Sequence, residues 1–345
     1  MLEDHNTFKI DFYERKYFDF RGVELTTCLI IDEAIRRGIK AQFVLGKYLE
    51  LKFNGRKALF NLADNTSLSY LAERISASKS ETKEFLKREG IAVPEGRKFD
   101  VKEIGGILEY AERLQEPLVV KPDNGSEGKG VYCGVKQEDI ISVTKEIARN
   151  FKSLVVERQI SGNEYRLLAT IDNYIAVIMR RPASVLGDSQ KSLQELIEEK
   201  NVGRQSKSAK PLTCPFIKIE VDDVVQKYLI RKGLSLGYIP LENERVYLRE
   251  NSNISTGGDA IELTDKIHPS VREIAFKALK AIPGMTYAGI DLITSDITQD
   301  IKQNGYAILE LNNKPGIWPL HYPYIGKPQN VAGALINLVF PETKE

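Results

Sequence analysis

An α+β fold is what this sequence predicts, with antiparallel sheets and not one doubly wound parallel sheet. Three observations carry it. Strand-like and helix-like stretches mix throughout the 345 residues. Hairpin signals recur, at Asn54-Gly55, at Asp172-Asn173 and around the glycine-rich stretch VVKPDNGSEGKGV at 119–131. No internal repeat or low-complexity segment interrupts the pattern.

In chain order, TTCLIIDEAIRR (26–37) reads as a helix stopped by Gly38, and IKAQFVL follows as a strand. YLELKFNGRKALF alternates around Asn54-Gly55 as a hairpin, so residues 1–75 predict a small α/β unit. KSETKEFLKRE (79–89) is a charged helix closed by Gly90, and Val93-Pro94 leads into an extended piece. Helices at 102–114 and 138–150 flank the glycine-rich hairpin, and LVVE (154–157) is a strand ending on an acid. SGNEYRLLATIDNYIAVIMRRPASV gives two strands around Asp172-Asn173. Ser192 and Glu195 have capping-box spacing, which starts the helix SLQELIEEK. A further helix is expected at 222–233. HPSVREIAFKALKAI places apolar residues at 271, 274, 275, 278, 279 and 282 on one helical face, with Pro269 suited to the first turn. YAGIDLIT and YAILELN are then strands joined by the polar turn SDITQDIKQNG.

Composition narrows the function classes. Hydrophobic residues make up 42% and charged residues 28%, an ordinary globular balance. A formal net charge of +1 gives no field to gather nucleic acid or a membrane surface, so a charged ligand must be held by a local cluster. Cys28, Cys133 and Cys214, like His5, His268 and His321, lack metal-ligand spacing. The cysteines predict thiols in a reducing compartment. The polar N-terminus has no signal-peptide core, and no apolar run could span a bilayer, so a cytoplasmic protein is expected.

Two constellations carry chemistry. In the stretch at 119–131, Gly125, Gly128 and Gly130 let backbone N–H groups approach a ligand, with Lys121 and Lys129 nearby. Such convergence suits a polyphosphate, although a surface hairpin with solvated lysines has the same pattern. In GIDLI and LELNNKPG, Glu310 and Asn312 are two apart and share a strand face, which Asp291 can reach from the adjacent strand. Two carboxylates and an amide oxygen suit Mg²⁺ bridging phosphates. An ordinary surface face is the alternative, weakened by the apolar flanks.

With ETKEFLKREGIAVP, VVKPDNGSEGKGV, VVERQISGNEYRLL, RRPASVLGD, LRENSNISTGGDAIELTD, GIDLI and LELNNKPG in this order, the chain resembles an ATP-grasp carboxylate–amine ligase. It is most similar to the ATP-grasp portions of bifunctional glutathione synthetase and cyanophycin synthetase. The resemblance implies an ATP-grasp fold. Its parts would be an N-terminal pre-ATP-grasp domain (1–75), a lid subdomain with the glycine-rich loop (76–160) and a C-terminal subdomain with the metal and substrate site (161–345).

Residue roles follow by the same resemblance. Lys83 and Lys121 are expected on the nucleotide phosphates. The loop with Gly125, Ser126, Gly128, Lys129 and Gly130 is expected to close over them, Lys129 adding catalytic charge. Glu157, Arg158, Gln159 and Ile160 match the hinge whose backbone meets adenine, and Glu164 would take the ribose hydroxyls. Arg180 and Arg249 are the expected catalytic cations, and Arg181 is expected at the surface on the opposite strand face. Asp291, Glu310 and Asn312 would hold Mg²⁺ or Mn²⁺. Asn253, Ser255 and Thr256 would position substrate, or else simply form a turn.

The implied reaction transfers the γ-phosphoryl group of ATP to a carboxylate, and an amine then displaces phosphate from the acyl phosphate. A kinase-like enzyme that stops at phosphorylation and a non-catalytic ATP-binding partner subunit are the alternatives. Small amino-acid or peptide substrates are expected, with homo-oligomerisation possible in the family and no nucleic-acid or membrane partner. Three departures affect substrate identity or site detail. The family's helix-opening Asp-Lys is here Ser78-Lys79, a change expected to matter little. Residues 201–218 lack the relatives' Pro-Arg-Gly wording, and Trp318 and His321 stand in the loop expected to face substrate. The chain also lacks the relatives' additional ligase domains, which predicts a free-standing enzyme.

Overall fold

The computed structural model describes residues 23–115, 117–125, 129–206 and 214–344. Ser126 and Gly128 of the expected flap lie outside the described residues, as does the first part of the expected N-terminal domain. The chain divides into two compact units, each made of separated segments. The first takes Met1–Thr66, Ala176–Thr264 and Gly316–Glu345, and the second takes Ser67–Ile175 and Asp265–Pro315.

In the second unit, the glycine-rich stretch is a hairpin, as expected. Its strands Leu118–Pro122 and Tyr132–Val135 pair antiparallel. Leu118–Pro122 also pairs with Ser153–Arg158, which in turn pairs with Gly96–Asp100 to complete a four-stranded sheet. Strand alternation sorts the side chains. Leu118, Val120, Leu154 and Val156 enter a core with Ile107 and Leu114 from the helix Ile104–Leu114 and Ile140 and Ile147 from Ile140–Ala148. Lys121 and Glu157 therefore project from the opposite face.

A second set of antiparallel strands in this unit joins Tyr287–Thr294 to Asn163–Thr170 on one side and to Tyr306–Asn312 on the other. The helix Pro269–Ala281 packs on it, with Val271, Ile274, Ala275, Ala278 and Leu279 buried, the face the spacing predicts. The helix Lys79–Arg88 packs against Tyr306–Asn312 and buries Lys79, Thr82, Lys83 and Leu86 along one face. Its charged appearance had concealed that face. Ser78 caps it, accepting the N–H of Glu81. The segment read as a polar turn contains one helical turn, Ile301–Asn304. The helix Tyr70–Ala77, capped by Ser69, was not expected.

The first unit opens with the helix Leu25–Arg36 and a meander of Lys40–Val44, Tyr48–Phe53, Arg56–Asn61 and Asp64–Asn65. Asn54 and Gly55 have φ of 45° and 80°, the pair of positive values that a two-residue hairpin turn requires. Ile175–Arg181 pairs antiparallel with Asp259–Glu262. Leu193–Lys200 starts with the complete capping box of Ser192 and Glu195. With Asp223–Arg231 and the pair Ser184–Leu186 and Arg245–Tyr247, it encloses a core of Val185, Leu193, Ile197, Val225, Leu229 and Val246. The unexpected helix Val331–Val339 is buried almost all round, so it shows no amphipathic period. His321 Nε2 accepts the N–H of Ala332 at 3.0 Å near its start, and Trp318 is half-buried.

One expectation is corrected here. Arg181 is not a surface residue: it is 9% exposed and donates to Asp259, its direct register partner, at 3.2 Å. A neighbouring carboxylate makes burial tolerable for a guanidinium. Among the described residues no helix is long and apolar enough to cross a membrane.

Candidate nucleotide and metal site

The sheet face opposite the core of the second unit carries a buried charge triad. Glu157, 2% exposed, accepts from Lys121 Nζ at 2.5 Å on one oxygen and from Lys83 Nζ on the other. The register explains the first contact, since Glu157 stands opposite Val119, two residues from Lys121 on the same face. Lys83 comes from the buried face of its helix. Burial alone would raise the Glu157 carboxyl; the ammonium groups of Lys121 and Lys83 hold it below the ordinary range. Burial, reinforced by the charge of Lys121, lowers Lys83 to about 8. Burial also works against charged Lys121, but Glu157 and then Glu310 outweigh it and raise its pKa. One carboxylate thus serves two buried cations, a place suited to further negative charge such as phosphate.

Asp123 holds the two lysine-bearing elements together. It is fully buried, and its carboxylate accepts the Ser80 N–H at 2.9 Å, the Ser78 hydroxyl at 3.1 Å and Lys98 Nζ at 2.7 Å. The backbone O of Asp123 accepts the N–H of Lys79 at 3.3 Å. A carboxylate therefore sits at the start of this helix although residue 78 is serine, where it favours the macrodipole. Gly130, with φ of 72°, adopts a conformation that side chains avoid, and a Cβ there would lie 3.1 Å from Pro122 Cγ.

The acidic set lies on the neighbouring strands of the same unit. Asp291 and Glu310 are direct register partners, with a bulge just after Asp291. Asn312 donates to Glu310 Oε1 at 2.9 Å and to the Gly289 carbonyl at 3.4 Å. Lys79 Nζ donates to the Gly125 carbonyl at 2.7 Å and stands 3.6 Å from Glu310 Oε2. One lysine head therefore spans the glycine loop and the acidic set. Both oxygens of Asp291, 5% exposed, accept from Arg166, one from Nε and the other, at 3.0 Å, from Nη2.

The donors fit a hard divalent cation. All three expected ligands offer oxygen, and Glu310 keeps 26% of its side chain exposed. Among the described residues no cluster of three or more His, Cys, Asp or Glu forms a metal site. The set therefore needs Asn312 and oxygens from a ligand, as a phosphate-bridging ion would have.

The hinge residues divide. The N–H groups of Arg158 and Gln159 donate to the carbonyls of Glu95 and Pro117 at 2.8 and 3.0 Å, so those amides are committed within the protein. Gln159 Oε1 accepts the N–H of Gly134 at 2.6 Å, which ties the hairpin to this segment. Ile160 is half-buried and Lys129 is exposed. Glu164 lies two residues from Arg166, on the face the arginine shares with Asp291.

The remaining expected residues belong to the first unit. Arg180 is half-buried opposite Ala260. Arg249, 6% exposed, donates to Asp222 Oδ2 at 2.7 Å and to the Glu220 carbonyl at 3.3 Å. Asn253, Ser255 and Thr256 build a short turn. Asn253 Oδ1 accepts the Ser255 N–H at 3.0 Å, and the Thr256 hydroxyl donates to the Asn253 carbonyl at 2.9 Å.

A family model described as the phosphoribosylglycinamide synthetase ATP-grasp (A) domain matches residues 77–203. A glutathione biosynthesis bifunctional protein from Clostridium perfringens is 32% identical over 338 residues, covering 95% of this chain and 43% of the relative. The chain carries an ATP-grasp domain. A cyanophycin synthetase from Trichormus variabilis is 32% identical over 323 residues, 92% of this chain and 35% of the relative. The crystal structure of a bifunctional glutathione synthetase from Pasteurella multocida superposes with a TM-score of 0.69 at 31% identity, over 92% of this chain and 43% of that one. The ATP-grasp chain thus spans less than half the length of these relatives.

Three residues of this candidate site were not singled out from the sequence. Lys79 drew notice only beside Ser78, and Asp123 and Arg166 were given no role. Their common signal is charge within otherwise apolar periodicity, at 79, 83, 121 and 123 and again at 164 and 166.

Proposed function

We propose that this chain is an ATP-dependent ligase. It joins the carboxylate of an amino acid or short peptide to an amine through an acyl phosphate, releasing ADP and phosphate. The single observation that carries this reading is the reach of Lys79, which touches the glycine loop and stands 3.6 Å from Glu310. A phosphate cradle and a hard-cation set on one unit are what phosphoryl transfer requires, because it depends on charge neutralisation more than on covalent help.

Lys83 and Lys121 offer ammonium groups to phosphate oxygens, in competition with Glu157. Asp123 fixes the helix that carries Lys79 and Lys83. Gly125 and Gly130 let the loop close and exclude water from a hydrolysable intermediate. Asp291, Glu310 and Asn312 would hold Mg²⁺ or Mn²⁺, which when bound neutralises charge on the transferring phosphate. Arg166 fixes the rotamer of Asp291 for that task. Arg180 is assigned to the charge that develops in transfer, and Asn253, Ser255 and Thr256 to substrate. The parts 1–75, 76–160 and 161–345 are proposed as pre-grasp domain, lid and catalytic subdomain.

The test is phosphate release from ATP and Mg²⁺ with pools of amino acids and short peptides. Release that needs both an acid and an amine is expected. Release with one substrate and a stable phosphorylated product would make the chain a kinase, and nucleotide binding without release would make it a binding subunit.

A further inference from the structure

One carboxylate in the second unit caps a helix from outside it. The first N–H groups of any helix lack partners within it, and a capping Asp ordinarily accepts those at its second and third positions. In the helix Lys79–Arg88 these belong to Ser80 and Glu81. Asp123 Oδ1 takes the first at 2.9 Å and Ser78 Oγ takes the second at 3.3 Å. The Ser78 hydroxyl in turn donates to Asp123 Oδ2 at 3.1 Å. Asp123 thus does from another element what an aspartate at position 78 would do from within the chain.

The difference is what the cap is tied to. Asp123 directly follows the strand Leu118–Pro122, which carries Lys121, while the helix carries Lys79 and Lys83. Backbone bonds run beside it: the Asp123 and Gly125 carbonyls accept from Lys79, through its N–H at 3.3 Å and its Nζ at 2.7 Å. The spacing between lysines on two separate elements is therefore set at residues 78–80 and 123–125.

A buried carboxylate two residues from Lys121 would repel a phosphate there unless it were balanced. Lys98 balances it at 2.7 Å. Lys98 stands opposite Val155, which stands opposite Lys121, so it shares the lysine-bearing face. Burial alone would raise the Asp123 carboxyl; Lys98 and then the Ser80 N–H hold it below the ordinary range. The carboxylate fixes geometry without leaving net negative charge beside Lys121.

We propose that Asp123 is a positioning residue for nucleotide binding. It sets Lys79 and Lys83 against Lys121, and the arrangement needs one carboxylate shared between positions 78 and 123. This deepens the ligase reading and rests on its phosphate site.

The experiment titrates the protein calorimetrically with ATP and Mg²⁺ and with adenosine. Asp123→Ser should lose at least about tenfold in affinity for ATP, the worth of about one charged hydrogen bond, and under about threefold for adenosine. Ser78→Asp alone sets two carboxylates against each other and should lose as much. Ser78→Asp combined with Asp123→Ser exchanges the carboxylate and its hydroxyl partner, and should recover most of the ATP affinity. A purely structural role would move ATP and adenosine alike. Where Asp123→Ser fails to fold, the comparison of Ser78→Asp with the double variant decides alone. Equal losses for ATP and adenosine, or a double variant no better than Ser78→Asp, would overturn the assignment. Binding is read without turnover, so a failure here is distinct from a failure of the ligase reading, which phosphate release decides.

Discussion

Replacing Glu157 with glutamine removes the one carboxylate between Lys83 and Lys121, whose side chains are only 6% and 9% exposed. Breaking a buried ion pair in this way costs about 3–5 kcal/mol. The variant can limit the loss by leaving Lys121 neutral, a group whose raised pKa keeps it charged in the parent throughout this range. From the Lys121 reference value of 10.5, that costs about 4 kcal/mol at about pH 7.5 and about 1.4 kcal/mol at about pH 9.5, at about 1.36 kcal/mol per unit. Urea denaturation of Glu157→Gln without nucleotide should therefore show a deficit of about 4 kcal/mol at the lower pH, shrinking to about 1–2 kcal/mol at the higher. Saturating ATP should restore part of it, since phosphate replaces the missing charge. A deficit under about 1 kcal/mol at the lower pH, or one that does not shrink, would refute this account of the triad.

Other predictions follow from the same geometry. Phosphate prefers the charged form of Lys83, so nucleotide affinity should fall as pH rises through about 8, by up to about tenfold per unit in isothermal titration; a flat profile would contradict this. The contribution of Lys83 to stability has the opposite sign. Its folded value of about 8 lies below the reference 10.5, so between them the unfolded chain holds more protons and stability gains with pH. Arg166→Gln should destabilise the fold by about 2–4 kcal/mol by removing the guanidinium that both oxygens of buried Asp291 accept from, and the added change Asp291→Asn should recover part of this in a double-mutant cycle; strict additivity would deny the coupling. Glu310→Gln, at a partly exposed position, should abolish turnover with a stability change under about 1 kcal/mol, and full activity would remove Glu310 from the metal set.

Local signals in the sequence were reliable where the physics is local. The Asn54-Gly55 turn, the Ser192–Glu195 capping box and the periodic face at 271–279 each depend on neighbours within a few residues. The strands bearing Asp291, Glu310 and Asn312 were legible because a short connection joins them. What could not be read depends on pairing across distance. Arg166 meets Asp291, and Arg181 meets Asp259, only through strand registers that no periodicity reveals. Lys79 and Lys83 looked solvated because charge outweighs Thr82 and Leu86 in the pattern, yet their side of the helix is the buried one. Val331–Val339 went unseen because a helix apolar all round shows no stripe.

The most direct measurement of carboxylate activation is oxygen transfer. The protein is incubated with ATP, Mg²⁺, the amine and a substrate whose carboxylate carries ¹⁸O, and the released phosphate is weighed by mass spectrometry. Attack of that carboxylate on the γ-phosphorus followed by amide formation leaves one labelled oxygen in each phosphate released. Product amide formed alongside unlabelled phosphate would contradict the acyl-phosphate route.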